Sequence, residues 1–281
     1  MNAPMPVALI CPLCRLPLER GSSVWRCATN HCFDVAREGY VNLLPVQHKH
    51  SKQPGDDTEM VLARRAFLDA GHYQPLRDAV LTLLAPLQAQ SLLDIGCGEG
   101  YYTTAFTGIA NEVIGLDIAK PAIRLAARRF PGITWLVGSG ALLPLADHAV
   151  DVVTNLFTQL HIDEMTRVLK PGGHVLVVTP AADHLWSLRE QLFDEVRAHE
   201  PDKFLAGFET RFVLRSKQEV RFALDLNQQS LQQLLQMTPY AWKAKPVWRA
   251  ALARSESLLT EAAFSLMLFK QLGPGERQSS I

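Results

Sequence analysis

The sequence predicts an α/β fold: a mostly parallel sheet with helices on both faces, preceded by a small cysteine-rich module. Three observations predict it. Short apolar runs alternate with helical stretches between about residues 91 and 179, the spacing of βαβ units. A glycine-rich turn follows the first of those runs. Four of the five cysteines fall within residues 11–32. Of the 281 residues, 48% are apolar and 20% charged, which excludes a disordered scaffold. That length suits either one large α/β domain or a domain of about 200 residues with a small appendage, and such a core needs no disulfides. The balance of 28 basic against 28 acidic residues argues mildly against a chain that coats nucleic acid or anionic membrane.

The elements follow in order. Residues 1–45 hold the cysteines and short strand-like pieces such as Ser23-Val24-Trp25-Arg26. Residues 46–58, VQHKHSKQPGDDT, are polar, contain Pro54 and Gly55, and read as a linker. The main domain spans 59–272. It opens on a helix with Met60, Leu62, Ala63, Ala66 and Phe67 on one face. Gly71 fits its stop, and Pro75 the first turn of a second helix. Strands are expected at 91–95, 112–117, 133–137, 150–156 and 174–179, with helices at 101–108, 121–130 and 161–169. A helix at 183–200, a strand at 211–222, a helix at 229–236 and a strand at 263–270 complete a seven-stranded sheet. Residues 273–281 read as a flexible tail. No apolar stretch approaches about 18 residues, and the N-terminus lacks the basic region of a signal peptide. A reducing cytoplasm and no membrane association are therefore expected. There, clustered cysteines serve more often as metal ligands than as disulfides.

Cys11-Pro-Leu-Cys14 is one metal knuckle, and a second begins at Cys27 in Cys27-Ala-Thr-Asn-His31-Cys32. Zinc takes four tetrahedral nitrogen or sulfur ligands, and two close pairs supply them. The second pair is either Cys27 with His31 or Cys27 with Cys32. So short a segment has little core of its own, so structural Zn²⁺ and folding should be coupled.

Leu92-Leu93-Asp94-Ile95-Gly96-Cys97-Gly98-Glu99-Gly100 is a buried strand entering a glycine turn. Glycines there let the backbone approach a ligand closely. Glu99 inside the loop would repel a pyrophosphate. It favours instead the cationic amino acid end of S-adenosylmethionine, with Asp94 as a second carboxylate nearby. Asp117 closes the next strand, where a carboxylate accepts hydrogen bonds from ribose hydroxyls.

These residues resemble the class I S-adenosylmethionine-dependent methyltransferases, whose fold is Rossmann-like. Leu142-Leu143-Pro144-Leu145-Ala146-Asp147, Val150-Asp151-Val152-Val153 and Val168-Leu169-Lys170-Pro171-Gly172-Gly173 match that superfamily's later segments in order. A closer resemblance runs along the chain. Cys11–Cys14, Phe33-Asp34, Glu38-Gly-Tyr-Val-Asn-Leu-Leu-Pro-Val-Gln-His48, Pro54-Gly-Asp56, Ala63-Arg-Arg-Ala-Phe-Leu-Asp-Ala-Gly-His-Tyr-Gln-Pro-Leu76 and Leu235-Gln-Met-Thr-Pro-Tyr240 resemble the bacterial 23S ribosomal RNA (guanine-N1) methyltransferases. The likeness is to the enterobacterial type, related to macrolide-resistance enzymes. It implies zinc on Cys11, Cys14, Cys27 and His31, and cofactor contacts at Tyr73, Gly98, Glu99 and His184. It also implies a zinc module that binds a 23S ribosomal RNA hairpin, and a homodimer. One departure stands out: Thr158-Gln159 occupies the place where relatives carry Ala-Pro, beside the methyl donor.

Methyl transfer to guanine N1 requires alignment and a group that accepts the N1 proton. Asp183 and Asn155 lie beside strand ends, although Asp183 reads better as a helix cap. Trp25 reads as core, with base stacking as the alternative. Residues 1–55 carry six basic residues against three acidic, a local surplus that His48 and His50 would extend. Two rival readings remain: a small-molecule methyltransferase with a structural zinc cap, and an RNA-binding module with a vestigial cofactor site.

Overall fold

The computed structural model describes residues 6–48, 54–238, 240–252 and 254–273. Residues 49–53 of the expected linker, including Lys49, His50 and Lys52, and residues 274–281 of the expected tail lie outside them. Strands β1 (Leu18–Arg20), β2 (Val24–Cys27) and β3 (Cys32–Asp34) form a small antiparallel sheet. The chain then crosses to the main sheet as β4 (Val41–Asn42).

Helices α1 (Thr58–Asp69) and α2 (Gln74–Leu84) lead into β5 (Ser91–Ile95), β6 (Glu112–Asp117), α3 (Lys120–Arg129) and β7 (Thr134–Val137). Then follow β8 (Val150–Leu156), α4 (Ile162–Val168), β9 (Leu169–Pro180), α5 (Trp186–Glu190), α6 (Leu205–Phe208), β10 (Phe212–Asn227), α7 (Gln228–Met237) and β11 (Ser257–Gln271). The sheet runs β10-β11-β9-β8-β5-β6-β7-β4. It is parallel except for β11, which is antiparallel to both β9 and β10. All five residues of β5 are buried, as expected of a strand covered on both faces.

Each face has its own core. On one, Phe67, Leu76 and Val80 of α1 and α2 meet Leu231 and Leu234 of α7 and Phe264 of β11. On the other, Val7, Leu18 and Trp25 of the small module join Leu143, Leu145 and Phe208. The small module is thus docked, with Ile10 N–H donating to the Pro144 carbonyl at 3.0 Å and Ala146 N–H to that of Ala8 at 2.9 Å.

Several expectations change. The sheet has eight strands, because Val41–Asn42, read as part of the cysteine module, adds an edge strand beside β7. The stretch at 101–108 is a 3-10 helix, Thr103–Gly108. The helix expected over 183–200 shrinks to α5. Leu185 takes a left-handed φ of 52°, and His199 N–H donates back to the Ala182 carbonyl at 2.9 Å, so the chain doubles over. Trp25 is 8% exposed and lies in the core with the Arg20 guanidinium over its ring, so it is not free to stack on a base. Among the described residues no helix is long and apolar enough to cross a membrane.

The order of strands positions the site. From β5 the chain proceeds outward through β6 and β7, then returns to place β8 on the other side of β5. Crevices at such reversal points, beyond the carboxyl ends of the strands, are where sheets of this kind bind ligands.

Candidate functional site

The metal centre is built from two knuckles facing each other. Cys11 and Cys14 come from the turn before β1, and Cys27 and His31 from the turn between β2 and β3. Their ligand atoms all lie within 4.8 Å of one another. Cys14 Sγ is 3.6 Å from Cys27 Sγ, and His31 Nδ1 is 3.5 Å from both Cys11 Sγ and Cys27 Sγ. A tetrahedral zinc with ordinary bond lengths would set about 3.8 Å between two sulfurs and about 3.6 Å between sulfur and nitrogen. The four side chains therefore fit the ion. Cys32 is exposed and turned toward the Asn30 carbonyl, which decides the second pair for Cys27 and His31. The Thr29 hydroxyl, not foreseen in the sequence, lies 3.1 Å from the sulfurs of Cys14 and Cys27. That hydrogen bond is the main reason the Cys14 thiol is lowered to about 7, which favours the thiolate a metal needs.

The second site is a cleft of about 720 Å³ at the carboxyl ends of β5, β6 and β8. Its floor is the glycine turn. Gly96, Gly98 and Gly100 have φ of 72°, 56° and 87°, a region costly for other residues. A side chain at Gly96 would also collide with Thr158. Asp117 fixes the turn: its carboxylate accepts from Gly98 N–H at 2.8 Å and from Ala119 N–H at 2.7 Å. Asp94, 2% exposed, accepts from the hydroxyls of Thr103 at 2.6 Å and Thr154 at 2.8 Å.

Burial raises the cleft carboxylates. Asp94 is pushed up to about 6 despite its two hydroxyl donors. Glu99, 3% exposed, is pushed up to about 7, with the Arg64 guanidinium opposing the shift. Asp117 is also raised, chiefly by burial. Asp56, Asp94, Glu99 and Asp117 line the cleft against one guanidinium, Arg64, which is ion-paired with Asp56. A ligand carrying positive charge would relieve this crowding. Tyr101 and Tyr102 also line the cleft, and their buried hydroxyls have no hydrogen-bond partner among the described residues. The volume falls within the range of small-molecule sites. Size and charge thus fit S-adenosylmethionine, whose amino acid end would meet Glu99 and whose carboxylate would meet Arg64.

Five of the sequence-identified cofactor residues meet here: Asp94, Gly96, Gly98, Glu99 and Asp117. The two named by resemblance alone do not line the cleft. Tyr73 is 4% exposed, edge-on to Phe67 and Phe264. His184 is 4% exposed, packs on Phe264, and its Nδ1 accepts from Ala263 N–H at 3.2 Å. Phe264 in turn touches Phe157 at the cleft wall, so both sit one aromatic layer back. Asp183 is ion-paired with Arg221 and Asn155 donates to the Gln159 carbonyl; neither lines the cleft.

Sequence reasoning missed Met60 and Arg64 from α1, Met237 from α7, and His161. Arg64 stood next to the apolar stripe of its helix, and that position was the available signal. The wall beyond β8 is uncharged: Phe157, Thr158, Gln159 and His161. Burial lowers His161, so its imidazole is neutral at neutral pH. Phe157 is 44% exposed with φ of 63°, an uncommon conformation for a bulky residue. Thr158 and Gln159, the pair that departs from the expected family pattern, both line the cleft.

Comparisons with known proteins bear on both sites. A zinc-ribbon family described as "RlmA, N-terminal" matches residues 9–52, and a family described as "Methyltransferase domain" matches residues 93–177. A Streptomyces fradiae protein named 23S rRNA (guanine(748)-N(1))-methyltransferase is 35% identical over 246 residues, covering 85% of this chain and 87% of that protein. A Micromonospora griseorubida protein, named for the same enzyme class, is 35% identical over 290 residues, covering 94% of this chain and 97% of its own. A solved structure from Pyrococcus horikoshii, 14% identical, shares the fold alone, with TM-score 0.50 over 72% of this chain and 91% of that one.

Proposed function

The chain belongs to the 23S ribosomal RNA (guanine-N1)-methyltransferase family, and on that premise we propose that it transfers a methyl group from S-adenosylmethionine to N1 of a guanine in 23S ribosomal RNA. The observation that carries this is the pairing, in one chain, of a Cys3His zinc ribbon with a carboxylate-lined cleft at the sheet's reversal point. When bound, the cofactor supplies an electrophilic methyl carbon on a sulfonium.

The residues divide the work by charge. Glu99 and Asp94 hold the cationic end, Asp117 accepts from the ribose, and Gly96 and Gly98 let the backbone come close. Arg64 is the cofactor-carboxylate partner. The neutral wall of Thr158, Gln159 and His161 faces the base. Thr158 and Gln159 offer hydrogen bonds to the guanine edge, and neutral His161 takes the N1 proton. Tyr73 and His184 support the wall through Phe264. Residues 1–45 form the RNA-recognition module, 46–58 the linker and 59–272 the transferase domain. The zinc module contacts a hairpin, the target guanine is unstacked to reach the cleft, and two copies act as a homodimer in the cytoplasm.

Incubation of the protein with 23S ribosomal RNA and labelled S-adenosylmethionine, followed by mass spectrometry of nuclease fragments, tests the reading. Methyl label at guanine N1 is the expected result; label on no RNA fragment would remove it. Light scattering tests the dimer.

A further inference from the structure

We propose that Lys120, Arg124 and Arg128, on the outer face of α3, form a track for the RNA phosphate backbone that leads from the zinc module to the cofactor cleft. The inference rests on the RNA reading above and names where that partner lies. The three positions are four residues apart, and all three side chains are exposed, while Ala122, Ile123, Ala126 and Ala127 bury the opposite face. Side chains at that spacing form a slanted ridge with neighbours about 6 Å apart at Cβ, close to the separation of successive backbone phosphates.

The ridge borders a second groove, of about 420 Å³, between α3 and the chain leaving the zinc module at Asn42 and Leu44. Asp56 and Ile118 line both this groove and the cofactor cleft, so the Lys120 end opens beside the site of chemistry. Leu44, Pro121, Leu125 and Val137 give the groove an apolar lining on which a base can rest.

Neither Lys120 nor Arg128 has an ion pair among the described residues. Arg124 is held by Glu38 of the small module at 2.7 Å, and that hydrogen bond keeps the Glu38 carboxyl below its ordinary range. The segment 56–180 is acidic overall, with 13 acidic residues against 9 basic. Yet Asp94 and Glu99 are turned inward, buried in the cleft, whereas the α3 cations face solvent. The net charge of the domain therefore conceals a basic ridge.

The test is binding of a 23S ribosomal RNA transcript by the zinc-loaded full chain across a salt series. Phosphate contacts contribute about 0.7 each, for a single strand, to the slope of log affinity on log salt. The double variant Lys120→Gln/Arg128→Gln should flatten that slope by about 1.4 and weaken binding at least tenfold near 0.1 M salt. Its S-adenosylmethionine affinity and melting temperature should match the wild type, because both residues are exposed. Glu38→Gln, which frees Arg124, should change binding in the opposite direction, tightening it. An unchanged slope and affinity in the double variant would overturn the track, as would a wild-type protein with no salt-dependent RNA binding. Methylation by the wild type, followed in parallel, reports separately on the proposed function: a protein that binds the transcript through this ridge and leaves guanine N1 unmodified contradicts that function and not the track.

Discussion

The zinc ribbon and the cofactor cleft are held in opposite ways. In the ribbon, three strands of three or four residues surround four ligands, and the coordinating side chains themselves join the two turns. In the cleft, a deeply buried sheet comes first, and the functional groups sit on its strand ends. Asp94 and Asp117 are fixed there by Thr103, Thr154, Gly98 and Ala119. The ribbon's order is therefore expected to depend on the ion as well as on its docking to the main domain, whereas the cleft is held by the sheet itself. A conditional element next to a preformed one lets substrate recognition fail while cofactor binding survives.

Removing the metal tests this contrast most severely. Structural zinc contributes on the order of 10 kcal/mol to ribbons of this kind. Cys27→Ser, or chelation, should open residues 11–34 and reduce RNA methylation by at least a hundredfold. S-adenosylmethionine affinity should move by less than about threefold, as calorimetry would record. Hydrogen exchange should rise across β1–β3 and stay slow in β5, β6 and β8. Parallel loss of cofactor binding would mean that the two regions fold as one.

Asp117→Ala attacks the preformed side. It removes a buried, charged acceptor that also fixes Gly98, so cofactor affinity should fall about 10- to 100-fold. Zinc content, measured by metal analysis, should not change. The pH dependence of cofactor affinity gives a smaller effect. Glu99, pushed up to about 7 by burial with Arg64 opposing, is neutral below that value and charged above it. A cationic ligand prefers the charged form, so affinity should fall about tenfold from pH 8 to pH 6, and Glu99→Gln should flatten the profile. A flat wild-type profile would exclude Glu99 as the contact. The smallest expected effect is Cys32→Ser, which should leave zinc content and RNA methylation unchanged because that thiol faces away from the cluster.

The same contrast explains what was legible in the sequence. The metal ligands are local: two pairs within 21 residues, close enough for spacing to reveal them. Only the choice between His31 and Cys32 exceeded spacing, since it depends on the direction in which adjacent side chains point. The glycine turn with Asp94, Glu99 and Asp117 was legible for a related reason, because strand, turn and following strand are consecutive. The rest of the cleft is assembled from afar. Arg64 arrives on α1 and Met237 on α7, and nothing local in either helix encodes that meeting. The eighth strand was hidden because two residues, Val41 and Asn42, carry no periodicity. The helix over 183–200 was overextended because apolar spacing does not register the reversal at Leu185. Tyr73 and His184 entered by resemblance, and their aromatic packing behind Phe264 had no counterpart in sequence pattern.

On the proposed function, one chain couples a metal-dependent RNA reader to a metal-independent methyl-donor site. The most direct measurement is paired: methylation of 23S ribosomal RNA, resolved to the modified atom by mass spectrometry, and S-adenosylmethionine binding, each with zinc-loaded and zinc-stripped protein. Methyl at guanine N1 is expected from the loaded protein only, with cofactor binding retained in both. Equal RNA methylation by loaded and stripped protein, or a methyl group on any atom other than guanine N1, would contradict it.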